Sequence, residues 1–221
     1  MKTCLTKTEC DRCGTCCTKG GPALHVEDKP LLLNKLLKPE QLITIRTGEP
    51  VFSPASEHPE PATSEIIKIK GKGREWTCLF FTDKDAGCAI YNHRPIECSL
   101  LKCWDTSDLE NVAGKDLLSR YDIVDPGEPI LPFIIDHEEK CSLENLDALL
   151  ASLHDDSSKK QALTTLTGMV KTDLTLRAQA CEKLQLSLEL ELFFFGRPLF
   201  TILDQIGIRM LNIKGVYHLS Y

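Results

Sequence analysis

Apolar residues along this chain change period more than once. Over residues 42–47 and 65–70 apolar and polar side chains alternate (Ile67 and Ile69 against Lys68 and Lys70), the two-residue period of a half-buried strand. Gly71 and Gly73 mark a turn, and residues 76–82 read as the returning strand, so a small antiparallel sheet is expected there. Leu31, Leu32, Leu36 and Leu37 follow Asp28 and Pro30 at helical spacing until Pro39 ends the run. Pro95 suits a first helical turn and predicts a helix over 96–104, with a further short helix over 113–121. Residues 1–25, broken by Gly14, Gly20, Gly21 and Pro22, form a loop wrapped around something. Residues 53–64, with three prolines, form an exposed loop.

Pro126, Pro129 and Pro132 read as a stiff connector, and the pattern beyond it is helical. Ser142 caps a helix expected over 142–153, and Ser157 begins another. Leu174, Ala178, Cys181, Leu184, Leu188, Leu192 and Phe195 recur at three- and four-residue steps and are expected to share one buried helix face. The alternation over 186–192 is also strand-like. The helix is preferred because no turn residue separates it from the preceding periodic stretch. Gly196 and Pro198 break that helix and start a shorter one, and residues 208–221 resemble a hairpin centred on Lys214 and Gly215.

Composition narrows the classes. A formal net charge of −6 over 221 residues argues against a nucleic-acid backbone or an anionic membrane surface as partner. The start of the chain has no apolar leader core, and the longest apolar stretch, near Leu192 to Leu203, is broken by Arg197 and Pro198. The expectation is a soluble, cytoplasmic protein without a membrane span. Catalytic-triad, phosphate-loop and dinucleotide motifs are absent.

Cysteine changes the picture most. There are eleven, an odd number that suits a disulfide framework poorly, and eight fall into two groups. Cys10, Cys13, Cys16 and Cys17 form a C-x2-C-x2-C-C run, and Cys78, Cys88, Cys98 and Cys103 follow about sixty residues later. Three thiolates on one tight loop suit a cubane iron–sulfur cluster, and paired C-x2-C motifs also suit zinc. Adjacent side chains diverge, so Cys16 and Cys17 are expected to serve different centres, or only one of them to ligate. Eight cysteines then divide into two four-ligand sites. Cys103 is either a ligand or a buried thiol of its helix. Cys141 and Cys181 read as buried thiols, and Cys4 as a frayed terminal residue. Arg94 lies between two of the cysteines and can donate to ligand sulfurs or offset thiolate charge; its plainer alternative is a surface or carboxylate-paired arginine. His25, His58, His93 and His154 are possible additional ligands or solvated side chains, and His137-Glu138-Glu139 lacks the second histidine of a metalloprotease motif.

Cys10 to Cys17, with Arg12 and Gly14, followed by Cys88-x-Ile-Tyr-x-x-Arg-Pro-x-x-Cys98, resembles the YkgJ-like CxxCxxCC family of zinc- or iron-chelating proteins over residues 8–105. The resemblance implies Cys10, Cys13, Cys16, Cys17, Cys78, Cys88 and Cys98 as ligands, with Arg94 and Pro95 beside them; Cys103 is less regular in that family. A flagellin lysine methylase resembles the same module. The fold expected is α+β: a metal-centred, loop-rich cysteine module with a small antiparallel sheet and short helices (1–140), followed by a mainly helical region packed on it (141–221). The leading functional reading is an iron–sulfur protein, with one or two centres of the 4Fe-4S type, that passes electrons or delivers metal or clusters to a partner protein. The alternatives are a zinc protein serving as an interaction module and an enzyme using its cluster site, such as a methyl-transfer relative.

Overall fold

A computed structural model describes residues 10, 13–52, 58–73, 75–84, 86–213 and 216–221. The fold is α+β: small two-stranded antiparallel sheets, several short helices and one long helix in the C-terminal half. The chain forms two compact units. The first runs to Leu42 and includes Ile67–Leu118; the second comprises Ile43–Ile66 and Ser119–Tyr221. The boundary passes through the strands Leu42–Ile45 and Ile66–Ile69.

In the first unit the helices are short: α1 (Lys29–Leu33), α2 (Ile96–Leu100) and α3 (Ser107–Val112). The predicted returning strand is real but broken. Gly71–Lys72 pairs with Thr77–Cys78, and Phe81–Thr82 pairs with Gly87–Cys88. Leu24, Leu37, Ile67, Ile69 and Leu118 are buried among these pieces.

The second unit is built of α4 (Leu131–Lys140), α5 (Leu146–Ala151), α6 (Lys159–Leu184), α7 (Glu191–Phe195) and α8 (Leu199–Gln205). The hairpin of Arg209–Ile213 with Val216–Ser220 completes it, as expected; the predicted turn at Lys214 and Gly215 lies outside the described residues. Leu146, Leu153, Leu166, Val170, Leu199 and Leu203 form its apolar core. Beside this core lies a buried charged network. Asp173 Oδ1 lies 2.6 Å from His137 Nε2 and accepts from Arg177 Nε at 2.8 Å, while its Oδ2 accepts from the Leu199 N–H. Arg177 also donates to the carbonyls of Phe195 and Gly196. Arg120 bridges Glu65 and Glu138, and Arg197 donates to Glu49. Burial alone would raise Asp173, but the His137 hydrogen bond and the Arg177 charge hold it down to about 2. The same balance, with His137, Arg46 and Arg120 opposing burial, holds Glu138 at about 2.

Several expectations are corrected. The helix expected over 96–104 stops at Leu100, where Leu101 turns extended (ψ 109°). The helix expected over 113–121 is instead α3, which ends before Ala113 because Gly114 (φ +73°) and Asp116 (φ +47°) adopt left-handed conformations. The proline connector is partly helical, since Pro132 sits in the first turn of α4, where its missing N–H has no helical role. The helix expected over 142–153 begins only at Leu146 and ends in a 3-10 turn, Ser152–His154. The long helix does not run on to Phe195. It ends where Gln185 adopts φ +49°, a turn made without the glycine that would announce it. Its buried face carries Ala162, Leu166, Val170, Asp173, Arg177 and Ala180, whereas Ala178 and Leu188 of the expected face are exposed. A buried ion pair looks polar in sequence, so apolar periodicity pointed to the wrong side.

Candidate metal centre

Five of the eight cysteines line one cavity of about 170 Å³ in the first unit: Cys16, Cys17, Cys78, Cys88 and Cys98. They come from both sequence groups. Cys10, Cys13 and Cys103 are exposed and do not line it. Cys103 lies beyond the end of α2, so it is not the buried helical thiol considered above. Cys4 and Arg12 lie outside the described residues.

Local backbone choices bring the sulfurs in. Gly14 has φ +76°, and a Cβ there would stand 2.6 Å from Phe81 Cζ, so only glycine lets the run lie against that ring. After it the chain coils: Cys16 is in the right-handed helical region (φ −68°, ψ −37°), and a 3-10 turn, Cys17–Lys19, follows. In a helical turn successive side chains are rotated by about 100–120° rather than pointing to opposite sides. The sulfurs of Cys16 and Cys17 therefore stand 4.0 Å apart and face one cavity, where divergence had been expected. Gly21 allows a second close approach, since a Cβ there would lie 2.8 Å from that of Ile69.

Carboxylates fix the helix that carries Cys98. Glu97 accepts from the Ala23 N–H at 2.8 Å and lies 3.3 Å from His25 Nε2. Asp28 accepts from the His25 and Ile96 N–H groups at 3.0 and 2.9 Å. His25, a possible ligand by sequence, is buried and spoken for: its Nδ1 lies 2.8 Å from the Lys115 carbonyl. Asp28 and Glu97 were not singled out by sequence reasoning, although Glu97 directly precedes Cys98 within the motif. Arg94 lines the cavity, with its guanidinium 3.8 Å above the Tyr91 ring and its buried Nε unbonded among the described residues.

Electrostatics shows what the cavity lacks. Burial, then the charge of Cys16, pushes the Cys17 thiol up to about 12. Burial and the neighbouring Cys78, Cys17 and Cys88 push Cys98 up further. Cys78 is also raised by burial, although N–H groups of Phe80 and Phe81 donate to its sulfur and partly offset this. Cys17, Cys78 and Cys98 thus share a space where burial opposes their ionisation, and a cation bound there would favour their thiolates. Among the described residues no three histidine, cysteine, aspartate or glutamate side chains have closed to chelating distance. The donor set nevertheless fits a thiolate-loving metal, being sulfur-rich, partly desolvated and provided with N–H donors to a sulfur.

Among the described residues no helix is long and apolar enough to cross a membrane. No curated protein and no solved structure matches the chain. Residues 9–116 match the family model of the CxxCxxCC zinc- or iron-chelating domain, which covers both cysteine groups and the whole cavity. Over that segment the chain is similar to the CxxCxxCC family of zinc- or iron-chelating domains.

Proposed function

We propose that the chain is an iron–sulfur protein that passes electrons, or a cluster, to a partner protein. The observation that carries this reading is the convergence of Cys16, Cys17, Cys78, Cys88 and Cys98 on one cavity of about 170 Å³. That space is well over the ~10–15 Å³ that a single water-sized occupant needs, which favours a polynuclear cluster over one ion. Four of the five thiolates would hold the cluster. The fifth, with the exposed Cys10, Cys13 and Cys103, would make up a second set of four. When bound, a cluster supplies one-electron chemistry whose potential depends on burial and on hydrogen bonds to sulfur. The chain's own contributions are the Phe80 and Phe81 N–H groups at Cys78, the Arg94 guanidinium beside the sulfurs, and the apolar Ile69, Phe80 and Ile90 that limit water.

One observation favours a second reading, a structural zinc site in an interaction protein. Thiolates ~2.3 Å from a tetrahedral zinc stand ~3.8 Å from each other, and the sulfurs of Cys16 and Cys17 are 4.0 Å apart. On neighbouring corners of a cubane they would diverge. Anaerobic purification followed by iron, zinc and acid-labile sulfide analysis separates the two. Iron and sulfide in equal amounts, about four of each per cluster, with absorbance near ~400 nm, bear out the first reading. Zinc without sulfide overturns it in favour of the second.

A further inference from the structure

The second unit holds an open groove of about 680 Å³ that has no part in the cysteine site. One face of α6 forms its floor, where Lys160, Thr164, Gly168 and Lys171 lie along the helix, and Tyr217, His218 and Leu219 form its wall. Neighbouring residues of a strand point to opposite faces, so three in succession line a groove only where the strand presents its edge. Val216–Ser220 is hydrogen-bonded to Arg209–Ile213 in a two-stranded sheet. The N–H and C=O groups of alternate residues on its other side are a template for a further strand.

The floor has an unusual residue. Glycine inside a helix is less stable than alanine, yet a Cβ on Gly168 would meet nothing within 4 Å. The chain's own packing does not call for glycine here; an occupant lying close against the helix does. The charge of the floor is also particular. Lys160 and Lys171 are eleven residues apart on α6, about 16 Å along the axis, the length of about five extended residues. Lys159 faces the Tyr221 ring at 5.2 Å, and Asp156 is the one carboxylate among the lining residues. In a chain of net charge −6, this groove is locally basic.

We propose that the groove binds an extended acidic segment of a partner protein. The segment adds to the edge of Val216–Ser220 as a third strand and sets its carboxylates on Lys160 and Lys171. Main-chain hydrogen bonds supply the attachment and the two lysines select for acidic residues.

A fluorescein-labelled decapeptide alternating Glu and Val, titrated into the full chain with anisotropy as readout, tests this. The expected result is saturable binding that weakens about tenfold in a Lys160→Glu/Lys171→Glu variant. A Gly168→Leu variant and a peptide N-methylated at alternate amides should both bind worse. The milder Lys160→Gln/Lys171→Gln variant, checked by circular dichroism, guards against misfolding. Absence of binding, equal binding of a control decapeptide alternating Lys and Val, or indifference to both lysine variants overturns the proposal. Sedimentation showing that the chain dimerises, and that the lysine variants abolish dimerisation, overturns it in favour of a second copy as occupant.

Discussion

The two units deal with buried polar groups in opposite ways. In the second unit each buried charge meets an opposite one within the chain: Asp173 with Arg177 and His137, Arg120 with Glu65 and Glu138, Arg197 with Glu49. Its carboxylates are accordingly held ionised, at about 2 for both Asp173 and Glu138. In the first unit the cavity's buried polar groups are mostly thiols, and burial pushes Cys17, Cys78 and Cys98 up instead. Two of its strand pairs are only two residues long, and its helices five or six. One unit thus pairs its buried charges with its own side chains, around α6 and an apolar core, leaving Arg46 Nε and Nη2 unbonded among the described residues. The other gathers five cysteines around one cavity, donors of the kind a thiolate-binding metal takes, and is built of short elements.

The largest effect should come from breaking the buried network. Asp173→Ala strands Arg177, His137 and the Leu199 N–H in a buried site. A loss of about 3–5 kcal/mol in denaturant unfolding is expected, with metal content per folded chain unchanged. Next is Gly14→Val, which forces a β-branched residue to φ +76° and into the Phe81 ring. It should cost about 1–3 kcal/mol and sharply reduce bound metal, while the α6 circular dichroism signal persists. Ser in place of Cys16 or Cys17 should lower metal content in the same way with little change in helicity; full retention of metal in both variants would remove them from the ligand set.

Acid should sharpen the contrast through sign. Glu138 and Asp173 have folded values depressed to about 2, from ordinary values of 4.5 and 3.8. Depressed carboxylates contribute stability that is fully present above their unfolded values and lost as pH falls through the folded ones. Helical signal and cooperative unfolding should therefore weaken between about pH 4.5 and 2, and either charge-neutralising substitution should flatten that dependence. The smallest effect belongs to the exposed surface. Lys140→Ala removes the Asp136 pair at 2.7 Å, and a change within about 0.5 kcal/mol is expected by thermal melting. A much larger loss would mean that the second unit depends on surface pairs as well as on its buried network.

Local chemistry was legible in the sequence. Cysteine spacing announced a metal-chelating module, alternation announced the strands around Ile67 and Ile69, and Ile208 to Tyr221 announced the terminal hairpin, because these depend on neighbours a few residues apart. Tertiary structure decided the rest. Which five cysteines share a cavity depends on Gly14 lying against Phe81 and on Asp28 and Glu97 tying α2 to the segment around His25, contacts that span up to 74 residues. The ends of α2 and α6 were set by Leu101 and Gln185, residues that carry no turn signature of their own. The buried side of α6 escaped periodicity because Asp173 and Arg177 become core residues only when His137 and the Phe195 and Gly196 carbonyls come to meet them. Spacing along the chain determines which donors exist; long-range partners decide which of them a burial site can hold together.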